Sequence, residues 1–93
     1  METYSENQYY YIAGKNTFQV NTGRCELVAI TVNKTDAGTI TIYDEIGSDT
    51  TTKIGILASN VAEKTYPYAI TACKGIKIVT TASPDVTVIY RLI

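Results

Sequence analysis

Four ionisable side chains crowd the run TVNKTDAGTITIYDEIG, residues 31–47: Lys34, Asp36, Asp44 and Glu45. Two adjacent carboxylates near an ammonium group are the raw material of general acid–base chemistry, provided that they converge on one point. In an extended strand they do not. Successive side chains leave on opposite faces, so Asp44 and Glu45 part company. Lys34 and Asp36 flank a turn, and Asp44 lies down the returning strand. At about 3.4 Å per residue, that separates them by more than about 10 Å. The expectation is a solvated polar surface.

Other chemistries are excluded by residue type. The chain has no histidine, which removes Ser-His-Asp and Cys-His catalysis and most zinc sites. Neither of the glycine-rich phosphate-binding patterns occurs. The segment GSDTTTK offers a calcium ion the single carboxylate of Asp49, where a calcium loop needs several oxygen ligands. Cys25 and Cys73 are too far apart in sequence for a zinc signature and are expected to be unpaired, mostly buried small hydrophobes. No catalytic residue, metal site or cofactor is expected, and the chain is not expected to be an enzyme.

The elements that must carry these residues are strands. Ile, Val and Thr together supply 34 of the 93 residues, against 3 Leu, and β-branched side chains suit a pleated sheet. Turn residues punctuate the chain every ten or so positions, which predicts about eight short antiparallel strands in one small β-sandwich or jelly-roll-like domain. The polar start, residues 1–8, reads as an arm and residues 9–93 as the sandwich. ELVAITVNK (26–34) is apolar on both faces and is expected to be central. TITIYDEI (39–46) alternates, with Ile40 and Ile42 inward. With Thr35-Asp36-Ala37-Gly38 between them, the two are expected to form a hairpin. SNVAEKTYP (59–67) fits either one capped helical turn or a long connection.

Net charge is −1 with no basic run, so neither nucleic acid nor an anionic membrane is an expected partner. Glu2 and Glu6, with no basic residue near them, argue against a signal peptide, and synthesis and retention in a reducing cytoplasm are expected. Tyrosine is the one enriched aromatic, and Tyr4, Tyr9, Tyr10 and Tyr11 fall at the start. A tyrosine joins an apolar ring to a polar tip and favours contact surfaces. The arm either docks on a neighbouring protein or forms an edge strand with one tyrosine inward and two outward. On the last strand, Val86, Val88, Tyr90 and Leu92 share one face and leave Ile89 and Ile93 on the other, which a dimer or trimer would cover. Tyr66 and Tyr68, flanking Pro67, are the candidate glycan platform, with Asp85 and loop 47–52 beside them.

The segments TGRCELVAITVNKTDAGTITIYDEIG, TKIGIL, TYPYAI and GIKIVTTASPDVTVIY, in this order over residues 22–90, resemble small all-β virion proteins of tailed bacteriophages. The resemblance implies a structural role on the particle: a capsid decoration or cement protein, or a head-fibre or tail component. It implies a homotrimer that binds the major capsid protein, assembled in the host cytoplasm and carried on the virion. The alternative within the same resemblance is a glycan- or receptor-binding module of a fibre or tail. The tyrosine-rich start lies outside the resembling segments.

Overall fold

A computed structural model describes residues 6–93. Among them the chain forms eight strands and no helix: β1 (Asn7–Ala13), β2 (Thr17–Thr22), β3 (Cys25–Lys34), β4 (Ile40–Tyr43), β5 (Lys53–Leu57), β6 (Thr65–Ala72), β7 (Gly75–Thr80) and β8 (Asp85–Leu92). Sheet A has the order β1-β8-β3-β6 and sheet B the order β2-β7-β4-β5, with every neighbouring pair antiparallel.

The pairings β4–β5, β3–β6, β2–β7 and β1–β8 are the rungs of one long antiparallel ribbon folded at residues 44–52. The ribbon is rolled so that successive rungs alternate between the sheets, and β3–β8 and β4–β7 are the contacts that rolling adds. This is a jelly roll, an eight-stranded double sheet.

Between the sheets, period-two alternation delivers the core: Ile12 from β1, Ile40 and Ile42 from β4, Ile76 and Ile78 from β7, Val86 and Val88 from β8, all buried. β3 is internal to sheet A, as its apolar faces predicted, but its alternation slips once. Val28 is an extra residue against β8, so Cys25 and Leu27, then Ile30 and Val32, point inward.

The expected hairpin between β3 and β4 does not form. β3 belongs to sheet A and β4 to sheet B, and residues 35–39 arch from one to the other. Turn chemistry alone does not distinguish these outcomes. Distant partners decide: Asp36 accepts a hydrogen bond from the amide of Ser83 (2.9 Å), and a Cβ on Gly38 would lie 2.5 Å from that of Ala82. The arch is seated on the β7–β8 connection. Residues 59–64 take no helical turn. Glu63 accepts from the Thr35 amide at 3.0 Å instead of capping its own segment.

Candidate docking face

The outer face of sheet A is built as cross-strand rows. One row runs Tyr9–Ile89–Ala29–Pro67 from β1 across β8 and β3 to β6, and is apolar throughout. The next runs Tyr11–Thr87–Thr31–Thr65. On the other side of the apolar row lies Asn7–Arg91–Glu26–Thr71, where the Arg91 Nε donates to Glu26 Oε1 at 3.0 Å and its Nη2 contacts the same oxygen. The apolar strip is thus bordered by hydroxyls and by an ion pair.

Tyr9 is 68% and Tyr11 60% exposed, and Ile89 beside them is half-buried. The row of hydroxyls is internally tied. Tyr11 donates to Asp85, the Asn33 amide donates to Asp85 and Thr87 (both 3.1 Å), and the hydroxyls of Thr31 and Thr65 lie 2.8 Å apart. The hydrogen bond to Asp85 raises the Tyr11 phenol above its ordinary pKa. The Tyr11 ring and the hydroxyls are therefore held in place while one face of the sheet stays open.

Of the expected contact residues, Tyr9, Tyr11 and Ile89 come together here. Tyr10 does not: opposite Val88, it turns inward and packs on the core, because alternate residues of β1 must leave by opposite faces. β1 has the one-in, two-out geometry of an edge strand and begins at Asn7, inside the stretch read as an arm. Ile93 lies just beyond β8 and is 66% exposed. Tyr4 lies outside the described residues.

Tyr66 and Tyr68 are half-buried and pack against the core rather than standing out as a platform. The Tyr66 hydroxyl donates to the Ala62 carbonyl at 2.7 Å, and the Tyr68 ring lies against Gly55, where a Cβ would come within 3.3 Å of it. Asp85, the proposed companion of this pair, is committed to Tyr11 and Asn33 on sheet A.

Sheet B treats its outer face differently, and here the acidic residues depart from expectation. β4 ends at Tyr43, so Asp44 and Glu45 are no longer bound by strand alternation. Both turn toward the β6–β7 connection. Asp44 accepts from the amides of Cys73 (3.0 Å), Lys74 (2.8 Å) and Gly75 (3.3 Å). Partial burial pushes its pKa up, but these three amides and the Lys74 charge prevail, and the net effect is downward.

Glu45, read from sequence as surface, has a fully buried carboxylate. It accepts from the Thr52 amide (2.8 Å), the Thr51 hydroxyl (2.9 Å) and the Lys74 ammonium (3.1 Å). The hydrogen bonds from Thr52 and Thr51, aided by Lys74, outweigh burial and hold it down at about 2.

Residues 44–52 thereby fold back over the row Gln19–Lys77–Tyr43. Lys77, only 2% exposed, donates to the carbonyls of Gly47 (3.1 Å) and Asp49, with its ammonium 5.6 Å from the Tyr43 ring centre. Gln19 donates to the Glu45 carbonyl at 3.1 Å and accepts from the Gly47 amide at 3.2 Å. The sequence signal was a lysine inside the apolar strand GIKIVT. Alternation against Ile76 and Ile78 sends that side chain outward, but nothing local announces the loop that covers it.

Cys25 is buried, which raises its thiol pKa, whereas Cys73 is exposed in the β6–β7 turn rather than buried as expected. Both thiols are free. Among the described residues, no three of Cys, Asp and Glu gather as metal ligands would. No protein-family model, no curated protein and no solved structure matches this chain.

Proposed function

We propose that this chain is a non-enzymatic virion protein that decorates and cements a bacteriophage capsid, seated on the major capsid protein through the outer face of sheet A. The observation that carries the reading is the row Tyr9–Ile89–Ala29–Pro67: apolar, with Tyr9 and Pro67 exposed, Ile89 half-buried and Ala29 buried between them, and edged by fixed polar groups. Contact surfaces have that composition, with an apolar centre, tyrosine enrichment and a polar rim. The virion assignment rests on the resemblance over residues 22–90.

The mechanism is mechanical. A rigid sandwich bridging adjacent capsid subunits adds buried apolar area to a lattice under outward pressure. A standard interface of roughly 1,600 Å² at about 25 cal/mol per Å² opposes separation, and symmetry repeats the contact over the shell.

Pelleting purified chain with capsids stripped of it tests the reading. The chain should co-sediment and restore resistance to heat and low salt, and Ile89→Asn should abolish both while leaving the far-ultraviolet spectrum unchanged. A chain that stays in the supernatant with every particle preparation refutes it.

A further inference from the structure

Each sheet of a jelly roll ends in two edge strands whose outward backbone groups are unpaired, and such edges invite strand addition unless blunted. Here the four edges are β1 and β6 of sheet A and β2 and β5 of sheet B. Three carry blunting devices. β6 contains Pro67, which has no N–H to give, and Ala69 in the left-handed region at φ 53°, where its ladder with β3 breaks register. β5 has only five residues, opens with Lys53 and breaks register against β4. β2 breaks register between Gln19 and Asn21, with Lys15 and Arg24 near its two ends.

β1 carries none of them. Its seven residues, NQYYYIA, pair with β8 in unbroken register and include no proline, no glycine and no charge. Among the described residues, no strand lies on its other side.

We propose that β1 is the edge on which two copies of this chain join. β1 runs antiparallel to its counterpart about a two-fold axis at Tyr10, so that two four-stranded sheets become one continuous eight-stranded sheet. The pleat restricts the choice of register. Paired residues must share a face, which allows a two-fold axis on a residue but not between residues. Among such axes, the one at Tyr10, the middle of Asn7–Ala13, keeps the whole strand in the ladder, and moving it to Tyr9 or Tyr11 shortens the pairing.

In that register Tyr9 stands opposite Tyr11 of the partner subunit, and the same pair recurs across the axis. Aromatic pairs are favourable cross-strand neighbours. No like charges meet along the seam, since the nearest charged residue, Glu6, would lie opposite Gly14 of the partner subunit. A pairing of β1 with β6 of a second copy, the head-to-tail route to a ring of three, would meet Pro67 and the break at Ala69. The edges thus favour two copies over the three that the resemblance implies. The inference does not depend on capsid docking: a dimer that ignores capsids leaves it standing.

Sedimentation equilibrium of the full chain tests it, with a charge swap that reads the register. The wild type should sediment at twice its 10.2 kDa mass. Tyr9→Glu with Tyr11→Glu sets like charges opposite each other at both pairs and should weaken the dimer at least about tenfold. Tyr9→Glu with Tyr11→Lys sets opposite charges there and should recover it at low salt. Both sites are exposed, and circular dichroism checks that the fold is unchanged. A monomeric or trimeric wild type at high concentration overturns the proposal. So does a dimer indifferent to the Glu/Glu pair, or one that the Glu/Lys pair fails to restore.

Discussion

The two sheets of this sandwich share one core but finish their outer faces in opposite ways. Sheet B covers part of its outer row with residues 44–52 of its own chain and fastens them with Glu45, Lys77 and Gln19. Sheet A leaves Tyr9 and Tyr11 exposed and Ile89 half-buried, although its hydroxyls and its ion pair are just as carefully partnered. The covered face uses buried charge to hold a loop. The open face uses polar contacts to fix the Tyr11 ring and to edge the apolar row, with no loop laid over it. The difference separates a surface whose substitution should cost stability from one whose substitution should cost contact.

The largest effect should come from breaking the cover of sheet B. Lys77→Ala strips donors from the carbonyls of Gly47 and Asp49 and opens a void under the loop. A loss of about 3 kcal/mol is expected in urea unfolding. A midpoint unchanged from wild type would mean that the loop does not depend on this lysine. Next comes the arch that joins the two sheets. Gly38→Ala drives a methyl group to 2.5 Å from the Ala82 Cβ and 2.9 Å from its backbone nitrogen, which cannot yield as a flexible side chain could. About 2 kcal/mol is expected from this overpacking, measured in the same way.

A smaller effect, set apart by its pH dependence, belongs to Glu45. Its carboxyl is held at about 2 in the folded chain, below the ordinary value of 4.5. A depressed folded pKa stabilises fully above the unfolded value and is lost as pH falls through the folded one. The urea midpoint of Glu45→Gln should therefore trail wild type by a constant margin from neutral pH to about pH 5, and the gap should close between about pH 4.5 and 2. Asp36 and Asp44, both also held low by backbone amides, keep their own acid sensitivity in this variant. A gap of the same size at every pH would mean that the Glu45 carboxyl is not held down.

The strands were legible in the sequence because their signal is local. Ile40, Ile42, Val86 and Val88 face inward because side chains alternate, whatever the strand partners are. The same rule, applied to β1, turns Tyr10 inward between two outward tyrosines and removes it from the expected contact residues. Partnership was not legible, because it depends on residues far along the chain. Thr35-Asp36-Ala37-Gly38 suits a hairpin or an arch equally, and only Ser83 and Ala82 decide between them. Glu45 was misread for a related reason. Thr51 and Thr52 lie close in sequence, but Lys74 and the turn that gathers them are brought in by the roll. Residue type marks a carboxylate as surface until the topology supplies its donors. At the candidate face, Tyr9, Tyr11 and Ile89 could be named from the sequence. Their assembly into one row with Ala29 and Pro67 needed the strand order β1-β8-β3-β6.

The smallest effect on folding should come from the open face, and it bears most directly on the contrast. Tyr9→Ser removes a ring that is 68% exposed and that makes no side-chain hydrogen bond among the described residues. Surface changes of this kind stay within about 0.5 kcal/mol, so unfolding of the dilute chain should match wild type. At high concentration the two should diverge. If the ring lies in a subunit seam, association stabilises the folded wild type by mass action, and its midpoint rises with protein concentration. The midpoint of Tyr9→Ser should rise less. A cost comparable to that of Lys77→Ala in the dilute chain would mean that sheet A, like sheet B, depends on its outer side chains to fold. The two faces would then differ in exposure alone.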